Sequence, residues 1–271
     1  MEEKILPNRG YKVMDVHTHI FPQSIAQKAT LSTGNFYGVE MRCVGEVERL
    51  IEEARGAGIF KALVFSAATV PKQVEHINDY ICNSCGGYEE FIGFGTLHPY
   101  MDNIEREVVR CQEMGLRGFK FHPDMQEFYL DEAKAVEMFR IIAKYQMPVL
   151  LHMGDDRYTY SAPERLRNVT DRVPELISIA AHFGGYQCWP QAVTNLKDGN
   201  IYFDTSSSFA FIEDETAVDL IHYFGYQRFM FGSDFPMWSP AKELEHFLDL
   251  ELNEDERERI LHGTFEEVIG E

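Results

Sequence analysis

Two kinds of segment alternate along the chain, and this alternation constrains the fold more than any other feature. Short runs rich in β-branched and aromatic residues, such as LVF at 63–65 and VLL at 149–151, are separated by longer segments with helical period. Strands that alternate with helices are typical of a parallel sheet that helices cover on both faces. Eight strands are predicted, at 12–17, 60–66, 91–97, 116–122, 148–152, 176–182, 200–205 and 228–234.

Local signals support the helical segments. Apolar residues in 47–54 recur at i, i+3, i+4 and i+7, and Gly56 and Gly58 can end that helix because glycine accepts the left-handed turn. Asp131 can begin another helix, since a carboxylate accepts hydrogen bonds from the free N–H groups of a first turn.

The predicted fold is an α/β TIM barrel, (βα)8, that spans 1–271 as a single domain. An open doubly wound sheet is the alternative, but no GxGxxG or GxxxxGK[ST] phosphate loop follows the first strand. Segment 21–43 is too long for a tight connection and shows no clear period, so we predict an active-site loop or lid there. An ordinary surface excursion is the alternative.

Net charge and cysteine content exclude several classes of protein. Lys and Arg total 25 and Asp and Glu total 44, which gives a net charge of −19. Such a chain repels nucleic acid and anionic lipid, so neither is expected as a partner. No apolar run reaches the ~18 residues of a membrane span, and we identify no secretion signal. Five cysteines, an odd number, indicate reduced thiols, and we expect a cytoplasmic protein.

Histidines are concentrated where the predicted strands end. Of the ten in the chain, six lie at the carboxyl ends of strands: His17, His19, His98, His122, His152 and His182. In a barrel these ends and the loops after them form the active site. The histidines are therefore expected to face a common centre.

Three imidazoles and a carboxylate in this set have the composition of a catalytic metal site. His17 and His19 are two residues apart, so on a strand both face the same side and can hold one metal at roughly 2.0–2.1 Å. His152 and His182 end the fifth and sixth strands, and Asp234 ends the eighth. Taken singly, each histidine could be a buried core residue and Asp234 a helix cap. Jointly they predict a metal site with open positions.

The order of these motifs resembles the amidohydrolase superfamily. HxH after the first strand, His after the fifth, HxGG after the sixth and GSDxP after the eighth are most similar to its amidohydrolase-2 branch, and the resemblance extends from DVHTH to HGTFEEVIG. That branch includes aminocarboxymuconate semialdehyde decarboxylase and pyrone dicarboxylate lactonase. The chain departs from those decarboxylases of the branch that begin with Glu in place of the first His.

The resemblance implies roles for particular residues. His17, His19, His152 and Asp234 would bind one divalent metal ion, with zinc favoured and manganese, cobalt and iron as alternatives. His182 would be the catalytic histidine beside it.

Three further residues are predicted to bind substrate. Lys120 and His122 share a strand face and would hold a substrate carboxylate. The alternatives for Lys120 are a carboxylated lysine that bridges a second metal, as in other amidohydrolases, and a structural ion pair. Arg157 could clamp a carboxylate, or could be a surface charge paired with a neighbouring aspartate. The serine-rich run at 204–208 is a weaker candidate.

The predicted function is metal-dependent hydrolysis of a small, carboxylate-bearing lactone, amide or ester. Asp234 would accept the proton of the attacking water, and His182 would polarise the carbonyl. The alternative is non-oxidative decarboxylation of the aminocarboxymuconate semialdehyde type. A hydratase and a binding protein with an inert metal also remain open, whereas the net charge disfavours a nuclease. The expected partner is a small-molecule substrate, and a homo-oligomer is left open.

Overall fold

Eight parallel strands form a single sheet in which every strand pairs with its neighbours in sequence. The computed structural model describes residues 6–270. The strands are β1 Met14–His19, β2 Lys61–Phe65, β3 Phe91–Gly95, β4 Gly118–Phe121, β5 Val149–Leu151, β6 Ser178–Ala180, β7 Ile201–Asp204 and β8 Phe229–Met230, in the order β1 to β8. All eight predicted strands are present.

Contacts between the first strand and the segment after the last one complete the barrel. The Val16 N–H donates to the Phe231 carbonyl at 2.9 Å, and Thr18 forms a bridge with Phe235. The fold is therefore the predicted TIM barrel and not an open doubly wound sheet. Within β1 the register shifts between Asp15 and Thr18, a bulge of the kind that redirects side chains near a site.

Helices separate the strands. They are α1 Ala26–Tyr37, α2 Val47–Ala57, α3 Val74–Gly87, α4 Ile104–Glu113, α5 Pro123–Gln126, α6 Ala133–Lys144, α7 Pro163–Arg172, α8 Trp189–Asn195, α9 Asp214–Phe224, α10 Pro240–Asp249, α11 Glu254–Glu258 and α12 Thr264–Ile269. No helix within 6–270 is long and apolar enough to cross a bilayer.

The period of two in the strands divides their apolar residues between two cores. Met14, Val16, Leu63 and Phe65 belong to an inner core, to which Phe265 of α12 also contributes. Alternate residues, including Phe119 and Phe121 of β4, pack in the larger layer between strands and helices. Lys120, between those two phenylalanines, therefore faces the barrel interior.

Two local predictions differ from the structure. Most of segment 21–43 is helix α1, because its buried residues are Ala26, Thr30 and Gly34 and such small or polar side chains give no apolar stripe. Asp131 does not begin a helix. Helix α6 starts at Ala133 with Glu132 before it, and Asp131 instead accepts hydrogen bonds from Arg165 and Asn168.

Candidate metal centre

Five of the six predicted strand-end histidines meet, with Lys120 and Asp234, in one cavity of about 930 Å³. The prediction was wrong for His98, which is buried beside Tyr100 and Phe128 and is not part of the cavity wall. The cavity belongs to the ends of the other strands. Its walls include His17, His19, Lys120, His122, His152, His182 and Asp234. These side chains come from five different strands or the loops after them. The barrel topology thus converts distant positions in the chain into one site, as expected for the carboxyl end of such a sheet.

Three of the predicted ligands form what we call the strand-end cluster: His17, His19 and Asp234. The Asp234 Oδ1 atom lies 3.4 Å from His17 Nε2 and 3.4 Å from His19 Nε2. Ligand atoms placed about 2.0–2.1 Å from a tetrahedral ion lie about 3.4 Å from one another. The donor types and their spacing therefore fit a divalent metal ion.

Asp204, at the end of β7, orients His17. Its Oδ2 atom lies 2.8 Å from His17 Nδ1. Because a carboxylate accepts, the imidazole proton resides on Nδ1, and Nε2 presents its lone pair to the cavity, where Lys120 Nζ lies 3.0 Å away. Burial alone would raise the pKa of Asp204, but the charges and hydrogen bonds of His17 and His182 hold it below its ordinary value. Burial also lowers the pKa of His17 to about 4, which favours the neutral ring that a metal requires.

Hydrogen bonds also orient Asp234. The Ser207 hydroxyl donates to its Oδ2 at 2.5 Å, and its backbone N–H donates to the His17 carbonyl at 2.9 Å. Its φ of +59° is a left-handed conformation that is strained for a residue with a side chain. Such strain is retained where surrounding contacts impose it, often at functional sites. Here it leaves Oδ1 facing the two histidines.

His152 and His182 form a second pair beside this cluster. His152 Nδ1 lies 2.9 Å from His182 Nε2. The other nitrogen of each ring faces a backbone carbonyl, Gly154 at 3.0 Å and Ser206 at 3.1 Å, and must donate to it. Two lone pairs therefore face each other, an arrangement that needs a cation. Burial lowers the pKa of both rings, which disfavours an extra proton and favours a metal ion.

Of the four predicted ligands, three lie together in the strand-end cluster, and the fourth, His152, lies beside that cluster. His152 is adjacent to His182, whose ring centroid is 5.1 Å from that of His17. The assignment of His152 as the fourth ligand, and of His182 as the catalytic residue, stays a prediction.

Lys120 and His122 both face the site. Lys120 Nζ lies 3.0 Å from His17 Nε2, and burial lowers the pKa of this amine to about 7. His122 stacks on His152 with centroids 4.0 Å apart and planes inclined by 6°. The ligand atoms of these two histidines also lie near Asp124, but lone pairs in parallel planes do not converge on one ion. We therefore assign this group as a stack and not as a second metal site.

Arg157 lies apart from the other predicted residues. Its Nε and Nη2 atoms donate to Asp155 at 2.8 and 2.6 Å, and Nη1 donates to the Phe36 carbonyl at 2.5 Å. It does not line the cavity. Tyr37 of α1 does, with Oη 2.5 Å from His122 Nε2. Sequence reasoning missed Tyr37 because it lies in the segment without apolar period.

Comparison with known structures places this fold among metal-dependent barrels. A dihydroxybenzoic acid decarboxylase from Polaromonas, with bound manganese, is 16% identical with a TM-score of 0.74 and covers 96% of this chain and 97% of its own. A 5-carboxyvanillate decarboxylase from Novosphingobium aromaticivorans, also with manganese, is 18% identical with a TM-score of 0.78 and covers 96% of each chain. At these identities the likeness establishes the fold.

A third similar structure has a different activity. It is a probable 2-pyrone-4,6-dicarboxylic acid hydrolase from Acinetobacter baumannii with citric acid bound, 14% identical with a TM-score of 0.72, and it covers 96% of this chain and 100% of its own. No curated protein matches the sequence. A family model described as amidohydrolase, of the amidohydrolase-2 type, matches residues 14–270. Since that match covers nearly the whole chain and the donor set fits a divalent metal ion, the chain belongs to the amidohydrolase-2 family of enzymes.

Proposed function

We propose that this chain is a metal-dependent decarboxylase that acts on a small carboxylic acid with an oxygen substituent near the carboxylate. The observation that carries the proposal is the position of Lys120. Its buried amine lies 3.0 Å from His17 Nε2, so a hydrogen-bond donor of the protein lies beside the metal-binding atoms. A metal ion and an adjacent amine donor together favour an anion with two oxygens. The decarboxylases among the similar structures support this over the hydrolysis that the sequence alone favoured.

A divalent metal, when bound, supplies positive charge that holds substrate oxygens and stabilises negative charge that develops on them. Zinc is our proposed resident ion because the donor set is rich in imidazole, and manganese is the alternative that the similar structures suggest. Metal analysis of the purified protein decides between them.

The residues of the chain have distinct tasks in the proposed reaction. Lys120 holds the substrate carboxylate, as the sequence predicted. The bond between the carboxylate and its carbon breaks, CO2 leaves, and the electron pair stays on that carbon. A proton must then reach the carbon, and His182 is our proposed carrier because its ring lines the cavity and its Nε2 atom, 2.9 Å from His152 Nδ1, can take up a proton that the two nitrogens share.

Hydrolysis is the second candidate. The observation in its favour is that Asp234 places a buried carboxylate beside the two metal-binding histidines, so that a water molecule held there would have a proton acceptor next to it. The probable pyrone dicarboxylic acid hydrolase supports the same reaction.

A product assay separates the two reactions. Metal-loaded enzyme is supplied with hydroxybenzoates, unsaturated carboxylic acids and carboxylated lactones in water enriched in ¹⁸O. The proposal expects CO2 release without ¹⁸O in the other product, abolished by a chelator and reduced in His182→Asn. Lactone opening with ¹⁸O incorporation and no CO2 would overturn it in favour of hydrolysis.

A further inference from the structure

Tyr37 brings a hydroxyl from helix α1 to two histidines of the cavity wall, His122 and His152. Its Oη atom lies 2.5 Å from His122 Nε2. It also lies 3.4 Å from His152 Nδ1 and 3.5 Å from His152 Nε2. None of the sequence motifs includes this residue, and its position against two site histidines raises the question of what its proton contacts.

The contact with His122 uses a lone pair of the hydroxyl and not its proton. His122 precedes α5, and its Nδ1 atom accepts a hydrogen bond from the Met125 N–H at 3.3 Å. The neutral ring therefore carries its proton on Nε2 and donates it to Tyr37 Oη. The Tyr37 hydroxyl proton must point elsewhere.

His152 offers no good acceptor for that proton. The Tyr37 oxygen is almost equidistant from the two ring nitrogens, whose lone-pair directions diverge, so it lies on the axis of neither. One of these nitrogens already faces His182, and the other faces the Gly154 carbonyl. Within residues 6–270, the hydroxyl is therefore a donor without a well-aligned partner at the wall of the cavity.

Arg157 holds this donor in place. Its guanidinium donates to the Phe36 carbonyl and lies 4.9 Å from the Phe36 ring and 5.6 Å from the Tyr37 ring. The same group is anchored by two hydrogen bonds to buried Asp155, in the loop after β5. The end of α1 is thereby fixed to the strand side of the cavity.

We propose that Tyr37 is a substrate-binding residue whose hydroxyl donates to a carboxylate or phenolate oxygen of the substrate, with Arg157 as the residue that positions it. The proposal rests on the proposed function, because it is the oxyanion of a carboxylic acid substrate that accepts this hydrogen bond. The Tyr37 hydroxyl would then select substrates that carry an acceptor oxygen on the side of the cavity facing α1.

Binding of salicylate tests this. Salicylate carries a carboxylate and an adjacent phenol oxygen, and its fluorescence reports binding. It is titrated into metal-loaded wild type, Tyr37→Phe and, as a matched control, Tyr158→Phe, a half-exposed tyrosine that stacks on Phe36 outside the cavity. Loss of a hydrogen bond to a charged group is expected to weaken binding about tenfold or more in Tyr37→Phe. The control is expected to stay within about twofold, with metal content unchanged in both variants.

A double-mutant cycle tests the positioning role of Arg157. If Arg157 acts through Tyr37, Arg157→Ala weakens salicylate binding in wild type but has little further effect in Tyr37→Phe. A merely structural role would give additive losses. Salicylate affinity equal in wild type and Tyr37→Phe, including absence of saturable binding to both, overturns the proposal. CO2 release by both proteins at equal rates would then show that the proposed function survives without it.

Discussion

The strand-end cluster and the end of helix α1 both line the cavity, yet they are built differently. His17 and Asp234 are buried, and each is hydrogen-bonded to a side chain of β7 or of the loop after it, His17 to Asp204 and Asp234 to Ser207. Tyr37 lies on a helix whose outer residues are exposed, with Leu31 58% exposed, and Arg157 links the end of that helix to the loop after β5. The difference indicates that metal binding and substrate contact are separable functions of this site.

The largest expected effect concerns the cluster. Asp234→Ala removes the one carboxylate of the predicted ligand set, so the variant is expected to lose its metal and to lower turnover by about 10³-fold or more. Metal content by mass spectrometry and CO2 release are the measurements. Ser207→Ala, which removes only the hydroxyl bound to Oδ2, is the milder control. Full metal content in Asp234→Ala would contradict the cluster as the site.

A smaller loss of metal affinity is expected at Asp204, which contacts the ligand His17 and not the metal itself. Asp204→Asn replaces the carboxylate that sets the His17 tautomer, and such substitutions weaken metal binding about 10–100-fold. Competition with a chromophoric chelator measures the affinity. The exposed Asp198, which precedes β7, provides the matched Asp198→Asn control and is expected to have no effect. An unchanged affinity in Asp204→Asn would show that the His17 orientation is set in another way.

The α1 side is tested by Arg157→Ala. Loss of the hydrogen bond to the Phe36 carbonyl is expected to speed hydrogen exchange over 26–37 by about fivefold, the equivalent of about 1 kcal/mol, while metal content stays at the wild-type level. Exchange mass spectrometry is the measurement. Metal loss together with faster exchange would contradict the claim that metal binding and the α1 side of the cavity are independent.

The smallest effect on the site is expected from Glu243 of α10. Burial, and then the charges of Asp234 and Asp15, raise its pKa from 4.5 to about 8. The folded protein therefore binds this proton more tightly than the unfolded chain does, and stability is lost as pH rises from 4.5 to about 8. The contribution has an upper limit of about 1.4 kcal/mol per pH unit.

Denaturant unfolding of the metal-free protein at pH 5 and pH 8 measures this term. Glu243→Gln, which stays neutral, is expected to lose less stability than wild type over that interval, and the exposed Glu245→Gln is expected to behave as wild type. A steeper loss in Glu243→Gln would have the wrong sign for a buried acid.

The sequence was sufficient for the barrel and for which residues end its strands. Period two and strand-end chemistry are local signals, so His17, His19 and Asp234 could be found from spacing alone and are indeed together. Asp204 could be placed near the site only by its position, because its contact with His17 joins residues 187 positions apart.

Helix α1 could not be recognised from the sequence, and for that reason Tyr37 was not predicted as a site residue. Gly34 lies where an added Cβ would meet the Val39 carbonyl at 2.8 Å and the Met41 side chain at 2.9 Å, so close approach and not apolar pattern decides this packing. Arg157 was expected to face the substrate. It instead pairs with Asp155, the neighbouring aspartate that the sequence offered as the alternative. Its other partner, the Phe36 carbonyl, depends on how α1 docks, which the sequence does not encode locally.

Anomalous diffraction from crystals of the manganese-loaded protein tests the central claim most directly. One peak per chain is predicted, within about 2.0–2.3 Å of His17 Nε2, His19 Nε2 and Asp234 Oδ1, and its distance from His152 Nδ1 settles the fourth ligand. A fully occupied peak that contacts none of the first three atoms, or a protein that turns over its substrate at full rate with no bound metal, would contradict it.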